Sequence, residues 1–494
     1  MESYEQVPAV IHVHSSMSGG KYTHSEIARM AQAGGARAVL FSDKAERSFT
    51  YGIPPFRGVA RVTMKRPSIP MAKVGEYLKT IDAAQAENPD VILVPGFEVA
   101  PYYRWEGDPR AGNLTLYKTE CEMLVYGLKK ESDWQHMPFI SNPNSARFSA
   151  GSFFQFILCA ALLAAGCAAF FVRVKHKFKV GLWRKQQINY YSHPLRPFAI
   201  LAVLAALLVG LMCYPFRRYA YSQYQPPRPT NAPYRLLADY VSAHGGLTVW
   251  AHPESKDVRR FKAAQILPAL FARLPFIPKD FSAEVRNTGC VEEMENTAAF
   301  TAFSAIYEGY RAVGCVGGSW DKALCGYASG RGRSAPFWAA GERDFYGLAD
   351  TFPIANSQTV FLVREFSRAG ILEAMRAGRM YAAEVDNGKV LRLYDFKIDS
   401  GGSATPAGGT VVFSGPARVS GTIGSKPMRG IKIRAKIIKN GKVARTFFGS
   451  TPLKFDFSFP DAPKDGMDYY RVVADNYSFA LLISNPIFVD ARKK

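Results

Sequence analysis

The sequence predicts an α/β fold interrupted by a two-helix membrane hairpin and followed by an antiparallel β-sandwich. Three observations predict it. Short apolar strands alternate with helical patterns over residues 7–130 and again from 234. Two runs of membrane-spanning length carry no charge. Beyond 388 the chain reads as short alternating strands. The resulting boundaries are 1–150 and 218–387 for the two parts of the α/β domain, 151–217 for the hairpin and 388–494 for the sandwich.

In order along the chain, AVIHVH (9–14) reads as a strand. HSEIARMAQAG (24–34) reads as a helix capped by Thr23 and stopped at Gly34-Gly35. ARAVLFSD (36–43) is a second strand, AKVGEYLKTIDAAQAEN (72–88) a helix and DVILVPG (90–96) a third strand. That rhythm implies parallel strands with crossover helices. After the proline-rich QPPRPTNAP (225–233), a helix (YRLLADYVSAHG, 234–245) and a strand (GLTVWAH, 246–252) resume it, so the hairpin is an insertion into one domain. The pattern closes near EFSRAGILEAMRAGR (365–379). Then VVFSGPARVSGTI, GIKIRAKIIKNGKVART and KFDFSFPD alternate between Asn-Gly and Gly-Ser turns, as sandwich strands do.

Residues 152–172 and 197–216 are each about the ~20 residues that cross a hydrocarbon core. A pair of buried core helices is the alternative. Flanking arginines and the aromatics Tyr214, Phe216 and Tyr219 favour a bilayer, and with it a place in the cell membrane. Between the runs, residues 173–196 carry Arg173, Lys175, Lys177, Lys179, Arg184, Lys185 and Arg196 with no acid. A loop so basic belongs on the cytoplasmic side, which puts the long soluble parts outside the cytoplasm. The N-terminal MESYEQVPAVIHVHSS has no signal peptide, which pulls the other way. Seven cysteines in 494 residues exclude a disulfide scaffold, and without a CxxC pair they leave the side open. The net charge of +21 suits a membrane surface or an anionic substrate. No basic stripe with interleaved aromatics lies outside the 173–196 loop, so no specific nucleic acid is expected.

Polar residues recur at the ends of the expected strands, where α/β barrels place their sites. His12 and His14 are two apart on one strand, so simple alternation puts both imidazoles on the same face. Asp43 ends the second strand, Glu98 follows the third, His252 ends TVWAH and Asp344 lies in GERDFYG. Such His and carboxylate ligands suit Zn, Mn or Fe, and paired ions sharing a carboxylate suit hydrolysis of phosphate esters.

In their order, HVHSSMSGG, LFSDK, VPGFEV, EMLVYGL, WAHPE and GERDFYG resemble the successive motifs of the PHP (polymerase and histidinol phosphatase) family. Within it, ILEAMRAGRMYA and the late SNPIFV are similar to the metallohydrolase branch related to carbaryl and carbofuran hydrolases. The resemblance covers almost all of the chain except the hairpin. It implies a distorted seven-stranded β/α barrel, a divalent-metal centre and phosphoesterase activity. Carried over by position, it implies a first metal on His12, His14, Glu98 and Asp344, and a second on Glu98, Glu122 and His252. Glu122 stands where the family has a histidine. The family's third site is lost as a unit, with Gly20, Lys44 and Tyr346 at the ligand positions.

The expected protein is therefore a membrane-anchored binuclear hydrolase. Lys44 takes the place of the third cation, Lys44 or Arg104 offsets developing negative charge, and Asp43 orients a ligand or shuttles a proton. The segment PYYRWEGDPR (101–110) is either a lid over the substrate or an ordered loop on the barrel. GGSWDKA (317–323) is set aside for Asp344 as the last motif, leaving Trp320 and Asp321 structural. The rival reading is a degenerate barrel serving as a membrane-bound binding or scaffold module.

Overall fold

A computed structural model of the chain describes residues 4–52, 57, 61–180, 186–213, 217–262, 282–307, 312–347, 353–386, 389–426, 430–463, 466–477 and 480–492. Arg184, Lys185, Tyr214 and Phe216, assigned above to the hairpin, lie outside the described residues. The fold is mixed α/β. Glu5–Val13 pairs in parallel with Ala38–Phe41, which pairs in parallel with Ile92–Val94. Past a break in each strand, Asp43–Lys44 runs beside Gly96–Val99. Helices His24–Ala33 and Val74–Glu87 make the crossovers, burying Ile27, Ala28, Tyr77 and Ile81. Thr23 caps the first of these through a reciprocal box with Glu26.

Pairing continues from Gly96–Val99 to Met123–Tyr126, Leu247–Trp250, Ala302–Ile306 and Trp338–Gly341. The chain then returns to its first strand. Arg343 N donates to Ile11 O, Phe345 N to His12 O, and His14 N to Phe345 O. One expectation needs correcting, because Met123–Tyr126 is antiparallel to both neighbours. It is entered directly from the strand Leu114–Tyr117, with no crossover helix between them to restore the direction.

The segment 101–110 is ordered structure. Arg104–Glu106 is the edge strand of a four-stranded sheet with Leu114–Tyr117, Ser282–Asn287 and Asp257–Lys262. This cap packs on the hairpin Ser48–Gly52/Arg61–Lys65 through Phe49, Tyr51, Trp105, Leu116 and Val285. A disulfide joins Cys121, beside the cap, to Cys290, with a Cα separation of 5.7 Å and both residues buried. The two cysteines are 169 residues apart, so no spacing motif could announce them.

The insertion is closed at its base, where Arg147–Phe148 pairs with Arg217–Arg218. Helices Ala150–Phe170 and Arg196–Cys213 pack on one another at Gly166, whose missing Cβ admits Val203. Between them, Val174–Val180 and Gln186–Ser192 form a β-hairpin. Leu158 is 70% exposed and Phe198 71%, so these helices are not a buried core pair. Ala150–Phe170 is long and apolar enough to cross a bilayer; the apolar stretch Arg196–Gly210 of the second helix is shorter. Just after the insertion, the Tyr224 hydroxyl accepts from Gly52 N of the Ser48–Gly52/Arg61–Lys65 hairpin at 2.6 Å.

From Met380 onward the described elements are strands, chiefly antiparallel, around Ile398, Val419, Ile433, Val472 and Ile487. Besides the pairing of Met380–Asp386 with Ser357–Val363, two side-chain clusters are among the contacts that fasten them to the rest. Asn485 of the SNPIFV segment accepts from Ala339 N at 2.7 Å and donates to Ala339 O and Met380 O. Asp321, in the first turn of helix Ser319–Ala328, is buried against Arg471 at 2.8 and 2.7 Å and accepts from the Tyr469 hydroxyl at 2.8 Å.

Candidate metal centre

The six expected ligands converge. His12 Nε2 lies 2.9 Å from Glu98 Oε1 and 3.3 Å from Asp344 Oδ1, and His14 Nε2 lies 3.0 Å from the same Asp344 oxygen. His252 Nε2 stands 3.7 Å from Glu98 Oε1 and 3.6 Å from Glu122 Oε2, and its ring stacks on that of His12 at 5.3 Å. Among the described residues the potential ligand groups are His12/His14/Glu98/Asp344, Glu98/Glu122/His252 and His12/His252/Glu342. Glu98 belongs to the first two.

Simple strand alternation is not what aims the two imidazoles. His12 sits at a register shift between Ile11 and Val13, with φ of 66°, and Asp344 has φ of 49°. Two of the expected ligands thus occupy the left-handed region that residues with a Cβ seldom adopt. The return of residues 343–345 along the first strand holds both of them there.

Buried polar atoms without partners mark the centre as made for a cation. Glu98 Oε2, His14 Nδ1 and His252 Nδ1 have no hydrogen-bond partner, and Glu122 Oε1 meets only the Arg47 guanidinium. Each such atom costs free energy unless something satisfies it. The proton equilibria agree. Burial opposes protonation of His12, yet Asp344, Glu98 and Glu342 together hold its pKa well above the ordinary value. Burial lowers that of His14. Burial also raises the Glu122 carboxyl well above the usual range, and Glu98 and Glu120 add to this against Arg47. Negative charge is in surplus, and a divalent ion fits the donor set.

The structure adds residues that the motifs did not mark. Glu342 is fully buried. It accepts from His252 N at 2.7 Å and faces His12 Nδ1 with Oε2 at 3.5 Å, an electrostatic contact behind the imidazole rather than a hydrogen bond. Arg47 enters from the loop after Lys44, with Nη1 2.5 Å from Glu122 Oε1. Burial by itself would depress the guanidinium pKa, but Glu122, Glu120 and Glu98 raise it, so Arg47 stays charged. A buried-side arginine three positions past LFSDK was the available signal, and a sequence offers no means of telling it from the many exposed ones.

The other expected residues fare differently. Lys44 Nζ lies 4.6 Å above the Tyr346 ring, which stacks on His14 at 4.2 Å, so two of the three replaced positions are in contact beside the centre. At the third, a Cβ on Gly20 would sit 2.1 Å from His14 O, so the loop admits no side chain there. Asp43 is committed locally. It accepts from Ser15 N, Ser15 Oγ and Ser18 Oγ at 2.6–2.9 Å, and pairs with the buried His24 at 3.2 Å. Arg104 is not brought to the ligands. It lies in the cap sheet, paired with Glu106 at 2.6 Å, because the strand that carries it belongs to that sheet. A cavity of about 360 Å³ reaches the centre, lined by Lys44, Arg47, Arg66, Arg259, Asp344 and Tyr346.

No family model and no curated protein matches the chain. Among solved structures it is similar to a two-domain protein from Bacteroides vulgatus, described as containing a PHP-like metal-dependent phosphoesterase by prediction. The identity is 11%, the coverage 98% of this chain and 95% of that one, and the TM-score 0.37. It is also similar to a protein from Bifidobacterium adolescentis assigned as a metal-dependent phosphoesterase, at 13% identity over 69% of this chain and 89% of that one, with a TM-score of 0.27. A third is an amidohydrolase from Chromobacterium violaceum holding sulfate and no metal, at 14% identity over 70% and 92% of the two chains, with a TM-score of 0.26. Scores this low carry no argument, and the chemistry rests on the residues.

Proposed function

We propose that the chain is a membrane-anchored, metal-dependent hydrolase of PHP type acting on phosphate esters. The observation that carries it is the buried convergence of His12, His14, Glu98 and Asp344 around atoms that lack partners. A divalent ion (Zn, Mn or Fe) bound there would polarise an ester and lower the pKa of a water molecule. His12, His14, Glu98 and Asp344 would hold it, and Glu98, Glu122 and His252 offer a place for a second. Glu342 backs His12 electrostatically. Lys44 and Arg47 present positive charge at the cavity to an anionic substrate.

The strand pairings, with the return of residues 343–345 to the first strand, support a closed seven-stranded barrel. The C-terminal strands support a sandwich. The exposed apolar faces of Ala150–Phe170 and Arg196–Cys213 support a two-span anchor. The basic 173–196 loop, together with the Cys121–Cys290 disulfide, supports soluble parts on the oxidising, extracytoplasmic side.

The test is full-length protein in detergent, loaded with Zn, Mn or Fe and given a chromogenic phosphomonoester and phosphodiester. Metal-dependent turnover that disappears in His12→Ala supports the reading. Bound metal without turnover of either ester would favour the scaffold module instead. Protease access to intact cells against inverted vesicles reads the side.

A further inference from the structure

The second ligand group already contains a cation. Arg47 is 8% exposed, and its Nη1 lies 2.5 Å from Glu122 Oε1 and 3.9 Å from Glu98 Oε2. Its Nη2 donates to Thr119 O and stands 3.7 Å from Glu120 Oε1, while Nε has no partner. The same side chain lines the cavity that Asp344 and Tyr346 reach. One guanidinium thus touches the carboxylates of the centre and the space where a substrate would lie.

The two ligand groups differ in closeness. In the first, three imidazole–carboxylate contacts are 2.9–3.3 Å, and the fourth, His14 to Glu98 Oε2, is 3.8 Å. In the second, His252 stands back at 3.6 and 3.7 Å, and the nearest neighbour of the Glu122 carboxylate is Arg47. An ion on Glu122 would share that carboxylate with a guanidinium that cannot shed its charge. Drawing the carboxylate away would leave a buried cation without its counter-ion. Arg47 holds Glu122 Oε1 while His252 faces Oε2, so an ion there would lie against the guanidinium, and the two like charges oppose one another.

We propose that Arg47 is the second cation of this centre. A single divalent ion occupies His12, His14, Glu98 and Asp344, Glu122 is a positioning residue for the guanidinium, and Arg47 turns its remaining N–H edge to the negative charge of the phosphoryl group. This rests on the metal-dependent reading above and replaces a second ion with a residue of the chain.

The test counts ions rather than turnover. Full-length protein is loaded with Mn²⁺, dialysed, analysed by plasma mass spectrometry and examined by electron paramagnetic resonance. The wild type should hold about one Mn²⁺ per chain with an uncoupled six-line spectrum, and Arg47→Met should rise to about two with exchange coupling. Glu122→Gln should keep the wild-type count. Two coupled ions in the wild type, an ion lost in Glu122→Gln, or an unchanged count in a folded Arg47→Met would each overturn the assignment of Arg47 while leaving a metal-dependent hydrolase standing. A wild type that holds no ion overturns both. If Arg47→Met does not fold, the wild-type count and Glu122→Gln decide.

Discussion

Asp321 and Glu98 are both buried carboxylates, but their surroundings are opposite. Asp321 meets Arg471 through two bonds, accepts from the Tyr469 hydroxyl and takes Gly317 N at 2.8 Å, so one anion faces one cation with both oxygens used. Glu98 lies among His12, His14, His252, Glu122 and Asp344 with one oxygen unpartnered. The first cluster pairs one anion with one cation, leaving Arg471 Nη1 without a partner, and joins the helix Ser319–Ala328 to the C-terminal strands. The second is incomplete by a cation. Burial alone does not separate a structural ion pair from a site; whether the charges close on themselves does.

The comparison breaks most visibly at His12. His12→Ala should abolish tight metal binding and lower hydrolysis by roughly 10³-fold or more, measured as kcat/KM in metal-replete buffer. Full activity in that variant would remove the metal centre from the chemistry. Asp321→Ala should instead leave the ion count unchanged and destabilise the fold by about 3–5 kcal/mol, because Arg471 is left buried without its counter-ion. Chemical denaturation checks this, and a loss below about 1 kcal/mol would show that the junction carries little of the stability.

A pH series sharpens the contrast further. Burial opposes protonation of His252, but Glu98 and Glu342 push its pKa up to about 9. A raised folded-state value stabilises the protonated, metal-free protein below about pH 6.5, and that stability is lost as the pH climbs towards 9. The loss should be on the order of 3 kcal/mol. A divalent ion on Glu98 would repel this proton from the facing His252, so affinity should rise across the same window, and the loaded protein should show a flatter stability profile. A flat profile in the metal-free protein would place the proton elsewhere. The smallest effect is expected at Glu342→Gln, where losing the carboxylate behind His12 should weaken metal affinity by about 10–100-fold. Equilibrium competition with a chelator measures it.

Much of this could be read from residue order. Apolar alternation located the second and third strands and the helices His24–Ala33 and Val74–Glu87 to within about two residues, because hydropathy period is a local property, but started the first strand four residues late, at 9 rather than Glu5. The uncharged runs marked the two exposed helices, and His12, His14, Glu98, His252 and Asp344 stood on or near the ends of the expected strands, while Glu122 came only from the family resemblance. What residue order could not express was which distant groups share one buried volume. Arg47 and Glu342 join the centre, and Arg104 stays in the cap, because strand pairing carries them there. The bulge at His12, the antiparallel Met123–Tyr126 strand and the 169-residue Cys121–Cys290 closure are likewise set by pairing across the chain. By itself the sequence determined the kinds of ligand and the apolar segments, since composition and period are written residue by residue. Only the tertiary structure decided which charges are left unbalanced, since burial and partnership exist only once the chain has closed.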